Sequence, residues 1–180
     1  VHLTRDLLNQ LPNLELICPL AVSMNQVDLK HAEKLGITVC NAPHYSDSTM
    51  AEHALGLMLS LCRGITKADR DIREGNWNLV EGTDLRGSTL GIIGIGGIGG
   101  ELASMGKALG MNVIAHTKHP SEERAKTHGV QFKDLDELLI SSDFIQIAVT
   151  LTDETTHLIG EKEFELMKPS AYLINISRAQ

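Results

Sequence analysis

The residues best suited to chemistry form a glycine-rich turn, Gly94-Ile95-Gly96-Gly97-Ile98-Gly99, which fits the spacing G-x-G-x-x-G. In such a turn the first glycine, Gly94, permits a tight bend, and the second, Gly96, lets a pyrophosphate approach the backbone because it has no Cβ atom. The third, Gly99, lets the following helix pack closely on the sheet. Free N–H groups at the helix start, with the positive end of the helix dipole, bind phosphate. The pattern therefore predicts a dinucleotide-binding site.

The motif is informative only in the right surroundings, and the neighbouring segments provide them. Thr89–Ile93 is a short apolar run, typical of a buried parallel strand. Residues 100–109 have a helical pattern, Gly110 stands where a helix C-cap belongs, and residues 111–115 form the next predicted strand. Strand, turn, helix and strand of this length make one βαβ unit. The alternative is a glycine-rich turn that binds nothing.

The residues after the second strand favour one dinucleotide over the other. A unit selective for NAD usually carries Asp or Glu near this strand end, where the carboxylate bonds the ribose 2′-hydroxyl. Here the chain has Thr117, Lys118 and His119, so no carboxylate repels a 2′-phosphate, and a hydroxyl and a cation are available to hold it. We therefore expect a preference for NADP(H), with NAD(H) possible. The alternative is that Lys118 and His119 are ordinary solvated loop residues.

The composition limits the class of protein. The 180 residues are 42% hydrophobic, which is enough for one good-sized domain or for one domain and part of another. The net charge of −7 argues against nucleic acid and anionic membrane as partners. No apolar run reaches transmembrane length, and there is no signal-peptide pattern. The three cysteines, Cys18, Cys40 and Cys62, lie in apolar contexts and are predicted to be reduced and buried. These features together predict a cytoplasmic protein.

Strands and helices also alternate before the glycine motif. Helices are predicted at residues 3–11 and 28–35, with Thr4 and Asp28 as the candidate N-caps, and strands at residues 14–18 and 37–40, as in a second, smaller α/β unit. Residues 48–74 then form one long predicted helix, in which Gly64 marks a kink or a break, and this helix would join the two units. The residues predicted to form its buried stripe are Met50, Ala54, Leu57, Met58, Leu61 and Ile65.

The alternation continues after the motif and defines the fold class. Helices are predicted at residues 121–128, 135–141 and 161–167, and strands at residues 130–132, 144–149 and 171–176. The fold class is therefore α/β, a doubly wound parallel sheet with part of a second, smaller α/β domain. Because ligands bind outside the carboxyl ends of strands in open α/β sheets, the glycine turn should share one crevice with three other segments. These are residues 117–119, 150–152 and 176–178.

Other chemistries are disfavoured by the spacing of the candidate residues. His116 and His119 are three residues apart but stand at a strand end, so they do not share a helical face as metal ligands. His44 and His53 flank the loop before the long helix and are interpreted as structural. Neither a G-x-S-x-G nucleophile elbow nor a Walker A sequence is present.

A set of motifs in fixed order carries a family resemblance. The motifs are Leu11-Pro-Asn-Leu, DLKHAEKLGITV from Asp28, Asn41-Ala-Pro, Ala51-Glu-His-Ala-Leu, LRGSTLGIIGIGGIG from Leu85, Ser142-Asp-Phe, Met167-Lys-Pro and Leu173-Ile-Asn-Ile-Ser-Arg. Over essentially all of its length the chain resembles the D-isomer-specific 2-hydroxyacid dehydrogenases. Within that family it looks most like the glyoxylate/hydroxypyruvate reductases.

The resemblance implies a domain organisation. Residues 1–44 would be part of a flavodoxin-like substrate domain. Residues 45–180 would be the connecting helix and a Rossmann dinucleotide-binding domain that is incomplete at its C-terminus. The chain would be truncated at both ends. Members begin with earlier strands of the substrate domain, and they continue after the arginine to a catalytic Glu and then a His that protonates the substrate oxygen. Members usually form homodimers through the cofactor domain.

The resemblance also implies roles for single residues. Arg178 matches the catalytic arginine, whose planar guanidinium can hold a 2-oxo acid and polarise its carbonyl for hydride attack. Val22 and Ser23 match the loop whose N–H groups bind the substrate carboxylate. The remaining matches concern the cofactor. They are Gly96, Gly97 and Ile98 at the pyrophosphate and Thr150 and Ile176 along the cofactor.

Four positions depart from the family pattern. In the substrate loop, Ser23 and Asn25 replace the glycine and the aspartate of a Gly-x-Asp sequence, and Ser23 would be strained if that position needs a positive φ. Gly97 stands where the family often has Arg or Lys, so one phosphate-binding cation is missing. Ala179 replaces the glycine that normally follows the arginine, which affects the geometry expected of that turn.

These inferences lead to one expected function and one alternative. The expected function is that of an oxidoreductase that transfers a hydride between NADP(H) and a small 2-oxo acid such as glyoxylate or hydroxypyruvate. The 180 residues alone are expected to catalyse poorly, since the proton donor is missing. The alternative is a non-catalytic dinucleotide-binding module or an inactive fragment of the same fold. Arg178 favours the enzyme, whereas the altered substrate loop favours the alternative.

Overall fold

The computed structural model describes residues 2–178, and its backbone forms two compact units with the boundary between Ser46 and Asp47. The first unit pairs two short parallel strands, β1 (Leu16–Ile17) and β2 (Thr38–Val39), with two helices, α1 (Arg5–Asn9) and α2 (Leu29–Lys34). Its small aliphatic core is formed by Leu8, Ile17, Val27, Ala32 and Ile37.

The helix starts of this unit follow from their capping residues. The Thr4 hydroxyl accepts a hydrogen bond from the Leu7 amide at 3.5 Å, and the Asp28 carboxylate accepts one from the His31 amide at 3.0 Å. Each side chain thereby satisfies an amide that has no partner within its own helix. Both caps were predicted from the sequence and are confirmed.

The second unit is built on a five-stranded parallel sheet in the order β5-β4-β3-β6-β7. The strands are β3 (Thr89–Ile93), β4 (Asn112–His116), β5 (Gln131–Phe132), β6 (Phe144–Ile147) and β7 (Tyr172–Asn175). The helices are α3 (Asp47–Cys62), α4 (Ile65–Arg73), α5 (Gly97–Ala108), α6 (Glu122–His128), α7 (Leu135–Ser141) and α8 (Glu161–Leu166). The order reverses between β3 and β6, which is the point where open α/β sheets bind ligands.

Apolar side chains cover both faces of this sheet, so the doubly wound arrangement predicted from the sequence is confirmed. Alternate residues of β3 point to opposite faces, as the pleat requires. Leu90 and Ile92 pack in the cluster that contains residues of α3 and α5, and Ile93 packs in the cluster that contains residues of α7. The core is almost wholly aliphatic, and it includes a stacked pair of aromatic rings, Phe144 and Tyr172, whose centroids lie 5.0 Å apart.

The long helix predicted for residues 48–74 is two helices, α3 and α4. Gly64 adopts a left-handed φ of +60° between them, a conformation that ends a helix and that glycine adopts without steric cost. The break also changes which residues are buried. Leu61 is 48% exposed and Ile65 is 53% exposed, so the predicted stripe is wrong at these two positions. The buried face of α3 is formed by Ala51, Ala54, Met58 and Cys62.

The cysteines differ in exposure, which corrects the prediction that all three are buried. Cys62 is buried on α3, and this burial raises the pKa of its thiol. Cys18 and Cys40 are exposed, because each follows the last residue of a short strand. The Cys40 amide donates to the Ile17 carbonyl at 2.9 Å, which continues the β1–β2 register and places Cys40 opposite Cys18.

Among the described residues, no helix combines the length and the apolar character needed to cross a membrane.

Candidate functional site

The glycine turn lies at the carboxyl end of β3, and its glycines have three different surroundings. Gly94 has a φ of +99°, and a methyl group there would lie 2.8 Å from the Ala148 carbonyl oxygen. Gly99 packs so closely that a methyl group would overlap the Gly94 carbonyl oxygen. Gly96, in contrast, has nothing within 4 Å of the position of a methyl group. The turn is therefore tight at Gly94 and Gly99 and open at Gly96.

Helix α5 begins directly at this open position. Gly96 is its N-cap, and the helix starts at Gly97, three residues earlier than the predicted start at residue 100. The first amides of a helix, here those of Gly97, Ile98 and Gly99, have no acceptor within the helix and carry the positive end of its dipole. An anion that approaches over Gly96 would meet these amides with no side chain in between.

A carboxylate stands beside the start of α5. A methyl group at Gly97 would overlap the carboxylate of Asp47, the first residue of α3. The arginine or lysine that the family often has at this position would therefore collide with Asp47 unless one of the two side chains moved. In this structure the Asp47 carboxylate occupies the space that a side chain at position 97 would enter.

The segment after β4 carries two cations with different partners. Lys118 Nζ forms an ion pair with Glu154 Oε2 at 2.5 Å, and hydrogen bonding and attraction from Lys118 lower the pKa of Glu154. Arg124, in the first turn of α6, donates from Nη2 to the Ile95 carbonyl at 2.8 Å. It also donates from Nη1 to the His119 carbonyl at 3.0 Å and reaches Thr117 Oγ1 at 3.5 Å.

Sequence reasoning missed Arg124. The sequence contains it as one charged residue in a short polar helix, and no spacing rule links it to the glycine turn. Only the path of the loop between β4 and α6 brings the guanidinium against both Ile95 and Thr117. A signal was nevertheless present, since Arg124 directly follows two acidic residues in the first turn of α6, where carboxylates are favoured and a cation is not.

The segments after β6 and β7 are joined by hydrogen bonds. Ser177 Oγ donates to the Val149 carbonyl at 2.6 Å, and the Ser177 amide donates to Asn175 Oδ1 at 2.8 Å. Asn175 Nδ2 donates to the Arg178 carbonyl at 3.0 Å, so the backbone that carries Arg178 is fixed from the end of β7. Thr150 is exposed, with its carbonyl accepting from Thr155 Oγ1 at 2.7 Å.

The structure thus brings most of the predicted site residues to one edge of the sheet. The glycine turn, residues 117–119, Thr150 and residues 176–178 all follow the carboxyl ends of parallel strands. Ile176 is half-buried and packs against the core, whereas the Arg178 side chain is exposed. Ala179 lies outside the described residues.

Val22 and Ser23 lie in the first unit. Asn41 Nδ2 donates to the Val22 carbonyl at 3.0 Å, and Ser23 Oγ accepts from the Asn25 amide at 3.4 Å. Within residues 2–178, the residues other than glycine that have a positive φ are His44 and His157. Ser23 is therefore not in a left-handed conformation, and the strain expected there is wrong.

A cavity of about 200 Å³ opens beside the same edge but does not include the glycine turn. Its wall is mostly apolar, with Ile147, Phe164 and Leu173 among the lining residues, and Ser177 and Arg178 also line it. The cavity therefore lies on the β6–β7 side of the sheet, whereas the open backbone at Gly96 and the start of α5 follow β3. In the described part of the chain, no three His, Cys, Asp or Glu side chains are grouped closely enough to hold a metal ion.

Comparison with known proteins identifies the family. The family model described as D-isomer specific 2-hydroxyacid dehydrogenase, NAD binding domain, matches residues 55–180. The chain belongs to this family. The resemblance inferred from the ordered motifs is therefore confirmed, and the family's matched domain is one that binds a nicotinamide dinucleotide.

Curated relatives and solved structures of the family agree with this assignment. A glyoxylate reductase of Aeropyrum pernix is 40% identical over 182 residues, and a D-3-phosphoglycerate dehydrogenase of Archaeoglobus fulgidus is 44% identical over 168 residues. These matches cover 96% and 92% of this chain but only 54% and 32% of the two relatives. The apo structure of D-lactate dehydrogenase from Escherichia coli matches with a TM-score of 0.89 and 35% identity, covering 98% of this chain and 57% of that one. The chain thus spans about half the length of the glyoxylate reductases that it matches.

Proposed function

We propose that this chain provides the dinucleotide-binding part of a 2-hydroxyacid oxidoreductase that transfers a hydride between NADP(H) and a small 2-oxo acid such as glyoxylate or hydroxypyruvate. The observation that carries the proposal is the open backbone at Gly96, at the point where the strand order of the sheet reverses. Residues 1–44 would belong to the substrate domain, and residues 45–180 to the connecting helices and the cofactor domain.

The residues around the turn fit a dinucleotide because the backbone leaves room for one. A Cβ atom at Gly96 would enter open space, so no side chain blocks the approach of a pyrophosphate to the backbone at this position. In this proposal the amides of Gly97, Ile98 and Gly99 hold the pyrophosphate, and Gly94 keeps the turn tight. When bound, the nicotinamide would supply the hydride at its C4 atom.

Three further groups complete the proposed cofactor site. Thr150 and Ile176, which follow neighbouring strands, line the path of the dinucleotide away from the turn. Thr117, Lys118 and His119 surround the adenosine ribose. Thr117 replaces the carboxylate that selects for NAD, and this replacement supports the preference for NADP(H).

The substrate is held by side chains and backbone of different segments. Arg178 donates to the carboxylate and the carbonyl oxygen of the 2-oxo acid and polarises the carbonyl as the hydride arrives. The amides of the loop at Val22 and Ser23 bind the substrate carboxylate. The bonds from Asn175 support the role of Arg178, since they fix the backbone from which its side chain extends.

The test is a titration of the purified chain with NADPH and NADH, followed by turnover measurements with glyoxylate, hydroxypyruvate and pyruvate. We expect NADPH to bind more tightly than NADH. Arg178→Gln should keep the cofactor affinity and lose any turnover. NADH binding more tightly than NADPH would contradict the cofactor preference. Failure to bind either dinucleotide would contradict the proposed function itself.

A further inference from the structure

The guanidinium of Arg124 connects two segments that the proposed cofactor site uses for different purposes. One of its nitrogens bonds the Ile95 carbonyl within the glycine turn, and the other bonds the His119 carbonyl after β4. The second nitrogen also lies 3.5 Å from Thr117 Oγ1. Thr117 stands where a dinucleotide-binding unit has the residue that contacts the ribose 2′-oxygen. A cation is therefore fixed at the position that distinguishes a 2′-hydroxyl from a 2′-phosphate.

The acceptors around Arg124 leave its charge uncompensated. All three are neutral oxygens, two carbonyls and one hydroxyl, and within residues 2–178 the guanidinium forms no ion pair. Lys118, the cation that the sequence favours, is in contrast neutralised by the Glu154 carboxylate at 2.5 Å. A 2′-phosphate would have to compete with Glu154 for Lys118, but it would meet no competing anion at Arg124.

The chemistry of the guanidinium suits this role. Arginine presents five N–H donors in a rigid plane, and the contacts seen here use three of them. Two donors are left for phosphate oxygens, and the two carbonyl contacts, of which the one to Ile95 is partly buried, hold the plane of the guanidinium. We infer that Arg124 is the specificity-determining cation for the 2′-phosphate of NADP(H), and that Lys118 contributes little. This inference rests on the proposed function.

The test compares Arg124→Gln with Lys118→Gln, which removes the competing cation of the same loop, and with Lys126→Gln, a control that removes an exposed cation of α6. Dissociation constants are measured for NADPH and NADH, and for 2′,5′-ADP and 5′-AMP, which lack the nicotinamide. Arg124→Gln should weaken NADPH and 2′,5′-ADP about 10- to 100-fold, as expected for the loss of charged hydrogen bonds to a phosphate. Its effect on NADH and 5′-AMP should stay within about threefold. Lys118→Gln should weaken NADPH less than Arg124→Gln does, and Lys126→Gln should change the affinity for every ligand by about threefold or less.

Each outcome either supports or overturns the inference. If Arg124→Gln weakens NADPH and NADH equally, Arg124 is only a brace between the two segments, and the inference fails. A larger selective loss in Lys118→Gln would overturn it as well. Arg124→Lys, which keeps the charge, provides a second variant if the glutamine variant does not fold, and it should retain most of the NADPH preference. If the wild-type chain binds neither dinucleotide, the proposed function fails first, and the inference fails with it.

Discussion

Gly96 and Gly99 stand three residues apart in the same turn, yet substitution should affect them in different ways. A methyl group at Gly96 meets open space, so Gly96→Ala should fold with a melting temperature close to that of the wild type. The same methyl group would occupy the path of the pyrophosphate, and cofactor affinity should fall at least about 10-fold. Thermal denaturation and a cofactor titration measure the two effects separately.

Gly99→Ala is the matched comparison. Here the methyl group overlaps the Gly94 carbonyl oxygen, so the helix must move away from the strand, at a cost of about 1–3 kcal/mol in the free energy of unfolding. The expected result is a clear loss of stability. A Gly96→Ala chain that unfolds as readily as Gly99→Ala would contradict this division of roles.

The Asp47 carboxylate occupies the space beside Gly97, and a double-mutant cycle tests whether it restricts the side chain at that position. Gly97→Ala alone should be destabilising, by about 1–3 kcal/mol, because its methyl group collides with Asp47. In the background of Asp47→Ala the collision disappears, and the same change should be neutral or stabilising, since alanine is a better helix former than glycine.

The measurement is urea denaturation of the wild type, both single variants and the double variant. The quantity of interest is the coupling between the two changes, which should favour the double variant by about 1 kcal/mol or more. If the two changes are additive, Asp47 does not restrict position 97.

These examples show which residue-level features follow from sequence. The separate roles of Gly94, Gly96 and Gly99 were predictable because the motif fixes where the turn, the opening and the close contact must be. The exposure of Cys18 and Cys40 was not, because an apolar sequence context does not reveal that a strand is only two residues long. Arg124 was missed for a related reason, since its contacts depend on the direction that α6 takes after a loop.

Asp143, directly before β6, contacts β3 and the loop between α8 and β7, and its titration should make stability depend on pH. Its carboxylate accepts from the Thr89 amide at 2.8 Å and from Lys168 Nζ at 2.7 Å. Burial acts to raise the pKa of Asp143, but the hydrogen bonds from Lys168 and Thr89 outweigh it and lower the pKa below its usual value of 3.8. A carboxyl whose pKa is lower in the folded state stabilises the fold above its unfolded pKa.

The stabilisation from Asp143 should therefore be complete above about pH 5. It should be lost as the pH falls from 3.8, the usual pKa, past the lower pKa that the carboxyl has in the folded state. Denaturant titrations between about pH 6 and pH 3 measure this dependence. Asp143→Asn should be less stable than the wild type near the upper end of this pH range. It should lose less stability than the wild type as the pH falls to the lower end. Asp153→Asn, in an exposed loop, is the control. An unchanged pH dependence in Asp143→Asn would show that the contacts of Asp143 contribute nothing.

The elements themselves were largely predictable, and the exceptions have a common cause. The order of strands and helices follows from periodicity and capping residues, and Thr4 and Asp28 cap their helices as expected. Asp134 occupies the N-cap position of α7, but its side chain makes no capping hydrogen bond. The sequence could not decide between a kink and a break at Gly64, because that choice depends on whether the glycine adopts a positive φ.

The exposed apolar residues of α4 and of the segment after it lead to a prediction about assembly. Ile65 and Ile72 lie two turns apart on one face of α4, each 53% exposed, and Trp77 and Leu79 are 84% and 91% exposed. Exposed apolar side chains grouped in this way commonly mark an interface. We expect a second copy of this chain to cover it.

Light scattering after size exclusion should give twice the single-chain mass of 19.6 kDa. Trp77→Arg combined with Leu79→Arg should give the single-chain mass, because a charge in the interface would be buried without a partner. The control variant Ile140→Arg adds one arginine at an exposed position of α7, and it should leave the dimer intact. A wild-type chain that remains monomeric at high concentration would contradict the prediction.

The two exposed cysteines, Cys18 and Cys40, allow the pairing of strands β1 and β2 in the first unit to be measured chemically. Neighbouring strands of a sheet lie about 4.8 Å apart, within the Cα separation of about 4.4–6.8 Å that a disulfide spans. Hydrogen peroxide would convert the thiols of Cys18 and Cys40 to a disulfide and two molecules of water, whereas Cys62 is buried and should stay reduced. Pairing of β1 and β2 in the register described above holds the two thiols side by side in the folded chain, whereas in urea Cys62 is also accessible and mixed pairs should form, which makes the denatured chain the control. A loss of two hydrogens in the intact mass, with one linked pair of peptides, would therefore record in a test tube that the two strands are side by side.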